Sequence, residues 1–100
     1  MIRHIVCWKL KDVAEGRSKA ENAMLIKAKL EALVLEIQAI KALDIGIDPG
    51  TSEGNWDIVL DSDFKTYEDL QVYQVHPAHI AFQKFISPLR ELKSCVDFEV

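Results

Sequence analysis

The chain alternates from its start. In residues 2–10 (IRHIVCWKL), Ile2, His4, Val6, Trp8 and Leu10 fall on one face of an extended strand, and Arg3, Ile5, Cys7 and Lys9 on the other. Apolar groups sit near the middle of both faces, so this strand is expected to be covered on both sides. Residues 11–16 (KDVAEG) read as a loop. From about Arg17 to Leu35 the spacing turns helical. Ala20, Ala23, Met24, Lys27, Leu30, Val34 and Ile37 form a stripe with Ile26 and Leu33 alongside, and Lys19, Asn22, Lys29 and Glu36 lie opposite. This predicts an amphipathic helix lying on a sheet.

Two more alternating runs follow. Residues 40–48 set Leu43, Ile45 and Ile47 against Ala42, Asp44, Gly46 and Asp48, and residues 56–64 set Trp56, Ile58 and Leu60 against Asp57, Val59 and Asp61. The Pro-Gly turn and second glycine of residues 49–55 (PGTSEGN) separate these strands. Thr66 opens a second helix, with Asp69 in the place of the acidic partner of a capping box and with Leu70 and Tyr73 pointing inward. Pro77 cannot continue this helix, and the residue before it favours an extended backbone. His76 is therefore expected to cap a new helical segment with Pro77 at its first position. That segment carries Ile80, Phe82, Phe85, Ile86 and Leu89, and residues 94–100 form a last strand with Val96, Phe98 and Val100 on one face.

The order is strand, helix, strand, strand, helix, strand. Two βαβ-like halves of this kind give an α+β domain, a four-stranded antiparallel sheet with both helices on one face. The helices cover one sheet face only, yet the first strand is apolar on both. A second sheet is the simplest cover, and a two-fold axis bringing two sheets together makes a closed, barrel-like homodimer.

Composition narrows the classes. One hundred residues, 49% apolar and 28% charged, suit one small soluble domain spanning 1–100. Such a domain buries a modest share of its surface, and a second subunit would add to it. A net charge of −4 argues against a nucleic-acid partner, which needs a dense basic patch. Arg3, Lys9 and Lys11 are the nearest approach to one and read as a solvated edge. No run reaches the roughly 20 apolar residues of a membrane helix. Cys7 and Cys95 form no CxxC pair and lie in apolar strand patterns, so both are expected to be buried thiols in a reducing cytoplasm. No basic-then-apolar signal segment precedes the first strand.

One segment stands out for chemistry: YQVHPAHIAF, Tyr73 to Phe82. His76 and His79 flank Pro77 at a spacing that puts both near one side of a helix start. Three readings remain open. The three histidines, His4 included, could ligate zinc, although no local cysteine or carboxylate completes the set. Tyr73 and His79 could act as an acid–base pair next to a carbonyl. Alternatively the roles are structural: His76 caps the helix, His79 bonds a neighbouring carbonyl, Tyr73 buries its ring, and His4 is a satisfied core histidine. Gly46, Gly50 and Gly54 make no phosphate loop, and Asp57, Asp61, Ser62 and Asp63 read as a solvated edge. No serine–histidine–acid arrangement is legible.

RHIVCWKLKD, WDIVLDSDF, YQVHPAHIAF and CVDFEV, in this order, resemble the stress-responsive A/B barrel (Dabb) family over nearly the whole chain. The resemblance implies a ferredoxin-like monomer and a two-fold dimer whose sheets close an α/β barrel. It implies no cofactor and no metal held by side chains, although some plant members hold a magnesium ion on backbone carbonyls at the end of the first helix, a place that falls near Val34, Ile37 and Ile40 here. Most such proteins have no assigned activity, while one plant member is a cofactor-independent polyketide cyclase. By that likeness His79 would be the base and Tyr73 the group orienting the substrate carbonyl, with His4 beside them. His76, Phe82, Met24 and Asp57 complete the expected ligand-binding set. The expected function is a homodimer, binding neither nucleic acid nor membrane, that holds a small apolar or aromatic carbonyl ligand between sheet and helices. The alternatives are a cofactor-independent cyclase, isomerase or monooxygenase, and a purely structural dimerisation module.

Overall fold

The computed structural model describes residues 1–100. Its main sheet is built from β1 (Ile2–Leu10), β4 (Ile40–Ile47), β5 (Ile58–Phe64) and β6 (Arg90–Glu99), in the order β4-β5-β1-β6 with every neighbour antiparallel. A small hairpin, β2 (Val13–Ala14) and β3 (Arg17–Ser18), leads into α1 (Lys19–Glu36); α2 (Tyr67–Val75) and α3 (Pro77–Ile86) connect β5 to β6. This is the expected ferredoxin-like α+β fold, with the second helix broken in two at Pro77. The core lies between sheet and helices, where Ile26, Leu30 and Phe64 have no exposed surface. Fully burying a side chain of this size stabilises by about 1.5–3 kcal/mol.

The helix boundaries have local causes. Glu15 (φ 54°) and Gly16 (φ 73°) are both left-handed, which closes the tight hairpin ahead of α1. Residues 11–16 are thus more ordered than the loop expected. Ser18 then caps α1: its hydroxyl accepts from Glu21 N–H (3.2 Å), and the Glu21 carboxylate accepts from Ser18 N–H (3.0 Å). The helix accordingly begins two residues later than its hydrophobic spacing suggests. At Thr66 only half of such a box forms, because Thr66 Oγ1 accepts from Asp69 N–H and the shorter Asp69 side chain makes no return bond.

The buried stripe of α1 differs from the expected one. It runs through Asn22, Ala23, Ile26, Leu30 and Leu33, whereas Met24 and Val34 face solvent. Asn22 is buried because the hairpin satisfies its amide: Oδ1 accepts from Arg17 Nε (2.8 Å), and Nδ2 donates to Ala14 O (3.1 Å). β6 also starts earlier than expected, at Arg90 rather than residue 94, since its charged first half hides the alternation.

Register decides which chemistry shares a face. Toward the helices, His4 stands between Ser62 and Asp97, Val6 between Leu60 and Cys95, and Trp8 between Ile58 and Lys93. On the other face, Arg3 stands between Asp63 and Phe98, Ile5 between Asp61 and Val96, and Cys7 between Val59 and Ser94. That second face carries Leu92, Val96 and Phe98, which are 52%, 60% and 40% exposed. No helix is long and apolar enough to cross a membrane.

Candidate active site

Proline at position 77 organises the segment between α2 and α3. It occupies the first turn of α3, where its missing N–H costs nothing. His76 caps that helix, its Nδ1 accepting from Ala78 N–H (3.0 Å). The next turn brings His79 against the end of α2, where its Nδ1–H donates to Gln74 O (3.1 Å). A carbonyl can only accept, so this bond fixes the tautomer and leaves Nε2 as a free lone pair. Tyr73, in the last turn of α2, lies with its ring centroid 4.3 Å from that of His79. Phe64 packs on the same tyrosine at 5.1 Å, and His4 meets it edge-on at 6.0 Å.

His4, Tyr73 and His79 line a cavity of about 540 Å³ between α2, α3 and the β1–β6 side of the sheet. Val6, Trp8, Leu60, Phe82 and Ile86 give it an apolar floor. Trp8 and Phe82 meet edge to face at 6.2 Å. The Tyr73 ring is buried, and no protein group hydrogen-bonds its hydroxyl. No buried side-chain nitrogen or oxygen is left sealed without a partner, so that hydroxyl opens on the cavity. Burial raises the Tyr73 phenol far above its ordinary range, which keeps it a proton donor. Burial, with Lys93 and His4 adding to it, pulls His79 below its ordinary value against the opposing pull of the Gln74 carbonyl. His79 is therefore a neutral imidazole near pH 7.

His4, Tyr73, His79 and Phe82 all reach the cavity wall. His76, Met24 and Asp57 do not. His76 is engaged at the helix cap, and Met24 is 63% exposed on α1. Asp57 accepts from Leu10 N–H at 2.7 Å and faces Lys19 Nζ at 3.6 Å, clamping the end of β1. The three histidines do not converge as a ligand set: His4 and His79 reach the cavity wall but His76 does not, and the one close donor cluster joins His4 to Cys95 and Asp97 instead.

β6 supplies what the sequence reading missed. His4 Nδ1 contacts Asp97 Oδ1 at 2.5 Å, and Cys95 Sγ lies 3.6 Å from each. Cys95 is exposed toward this cluster, not buried, and Cys7 is only half-buried on the opposite face. Burial and Asp97 raise the Cys95 thiol, so it donates to the carboxylate. The three donor atoms lie within 4.8 Å of one another, a partial metal-ligand set. Their contacts with one another already satisfy them, since the His4 N–H donates to Asp97 and leaves Nε2 as acceptor. Lys84, Arg90 and Lys93 stand around the same cavity. The only sequence clue was parity along β6, which places Lys93, Cys95 and Asp97 opposite Leu92, Val96 and Phe98.

Comparison with known proteins agrees with this architecture. A dimeric protein of unknown function and ferredoxin-like fold from Bacteroides fragilis matches with a TM-score of 0.85 at 32% identity, over 99% of this chain and 95% of that one. A dimeric ferredoxin-like protein of unknown function from Thermobifida fusca gives 0.78 at 29%, over 99% and 90% of the two chains. A hydroxynitrile lyase from Passiflora edulis gives 0.81 at 20%, over 99% and 92%, a likeness of fold. A search of curated proteins gave no match. The family profile of the stress-responsive A/B barrel domain spans residues 2–100, and the chain belongs to that family.

Proposed function

We propose that this domain works as a cytoplasmic homodimer that binds a small, largely apolar carbonyl compound in the cavity and moves a proton on it without a cofactor. One observation carries the reading: a tautomer-fixed, neutral His79 and an unpartnered Tyr73 hydroxyl stand side by side on a cavity with an apolar floor. In the proposed step, His79 Nε2 takes the proton from the carbon next to the carbonyl. The C–H electron pair moves into the enolate, and Tyr73 donates its hydroxyl hydrogen to the developing oxyanion. Return of the proton gives exchange or isomerisation. Attack of the carbanion on a second carbonyl gives ring closure, the new alkoxide taking the proton from His79. That a hydroxynitrile lyase shares the fold supports catalysis on this scaffold, while the reaction itself must be argued from the site. The dimer is supported by the apolar outer face of β6 and by the dimeric relatives.

The test is hydrogen–deuterium exchange, followed by proton NMR, of β-dicarbonyl compounds with aromatic or alkyl tails. Wild-type protein should accelerate loss of the α-proton signal, and His79→Ala should abolish the acceleration while tail-dependent binding persists. Binding without any exchange would reduce the domain to a carrier and sink the catalytic reading.

A further inference from the structure

The charges around the cavity are one-sided. The chain has more acidic than basic residues, 16 against 12, yet no aspartate or glutamate lines the cavity and three cations do. Lys84 comes from α3, and Arg90 and Lys93 come from β6. The molecule's ion pairs use Arg3, His4 and Lys19, so none of these three has a carboxylate within 4.0 Å. Asp97, two residues along β6 from Cys95, is committed to His4. Lys93 is close enough for its charge to oppose protonation of His79 and of Cys95, where burial and Asp97 outweigh it.

Unpaired cations at the edge of an apolar cavity are effective anion receptors, because low-dielectric walls strengthen their field. Arg90 adds a planar fork of donors that matches a carboxylate in two-point contact, and the lysines add mobile point charges. The floor of Trp8, Leu60 and Phe82 excludes a fully solvated dianion and suits a flat apolar body.

We infer that the cavity takes a carboxylic acid: an apolar or aromatic body resting on Trp8 and Phe82, with its carboxylate held by Arg90 and Lys93 and attracted by Lys84. This deepens the reading above and rests on it, since it names the substrate class of the same site. The arrangement also sets polarity. A carboxylate at the β6 edge leaves the remainder of the molecule to run inward past Tyr73 and His79. The reacting carbonyl thus sits apart from the acid, as in a keto acid.

The experiment is an NMR titration of 15N-labelled protein with naphthalene-2-acetate and its neutral isostere naphthalene-2-acetamide, following the amides of Tyr73, His79 and Cys95. The acid should bind at least tenfold more tightly than the amide, and more weakly as salt rises. Lys93→Gln, at an exposed position, and the double variant Arg90→Gln/Lys93→Gln should weaken the acid by about threefold and tenfold or more. The amide's affinity should stay unchanged. Equal affinities for acid and amide at these residues would overturn the carboxylate assignment while leaving the cavity a ligand site. Shifts at none of the three residues with either compound would remove the ligand-site reading, and this inference with it.

Discussion

Removing one oxygen separates the chemical role of Tyr73 from its structural one. The ring is fixed by Phe64 at 5.1 Å and His79 at 4.3 Å, while the hydroxyl has no protein partner. Tyr73→Phe keeps every ring contact and orphans no donor or acceptor, so the stability change should stay within about 0.5 kcal/mol. Had the hydroxyl held the fold, its loss would cost about 1–3 kcal/mol, and each kcal/mol lowers Tm by roughly 4–8 °C in a domain of this size. On the reaction, loss of an oxyanion donor should reduce the rate by about 10²–10³-fold. Tyr73→Ala makes the control. Emptying the ring's volume should cost about 3–5 kcal/mol, a large part of a total stability of about 5–15 kcal/mol. The assays are thermal unfolding by circular dichroism and the NMR exchange rate at fixed pH. An exchange rate within twofold of wild type, or a Tm loss in Tyr73→Phe approaching that of Tyr73→Ala, would refute the assignment.

Two further outcomes follow from the same geometry. Because burial lowers His79 below its ordinary value, the exchange rate should be flat through neutral pH and fall only in acid below the folded-state pKa. As pH falls below about 6.5 the unfolded chain protonates this histidine first, so stability should decline from there down to the folded-state pKa, and His79→Asn should remove that slope. On the outer face, Val96 is 60% exposed beside Ile5; covering that fraction in both copies is worth about 2–4 kcal/mol per dimer. Val96→Asp should therefore raise the dimer Kd roughly 30-fold or more in sedimentation equilibrium; a wild type that is monomeric at micromolar concentration contradicts the dimer outright.

Legibility in the sequence follows the range of the interactions. The strand β1 is legible because neighbouring residues point to opposite faces, and every second residue from Ile2 to Leu10 is buried under the helices. The His76 cap and the Pro77 start were legible because the bond from Ala78 N–H spans only two residues. Asn22 was not, since a hydrophobic pattern reads a polar residue as exposed and cannot see the hairpin carbonyl and guanidinium that satisfy it. Ala23, Ile26, Leu30 and Leu33 are buried as the spacing implies, but the stripe extends toward Asn22, and Met24 and Val34 on its other side face solvent. The β6 side of the site was hidden for a different reason. His4 and Asp97 are separated by 93 residues, and only the β1–β6 register brings them together.

The location of the cavity follows from how the helical layer sits on the sheet. α1 packs on β4, α2 on β4 and β5, and α3 on the other two helices, so the layer leans away from β6. The inward residues of β1, such as His4, Val6 and Trp8, are buried, whereas Lys93, Cys95 and Asp97 on the inward side of β6 remain exposed. Stability alone would favour closing this gap with large apolar residues on β6, against Val6 and Trp8. The chain instead places a cation, a thiol and a carboxylate there, at alternate positions that share one face. The same strand turns Leu92, Val96 and Phe98 outward on the apolar face suited to a second copy. β6 is thus an edge strand with a different task on each side, and in a dimer its outer face would be clamped while its inner face stays open. Binding chemistry on a clamped strand is held more rigidly than on a free edge, which is what positioning Asp97 against His4 requires.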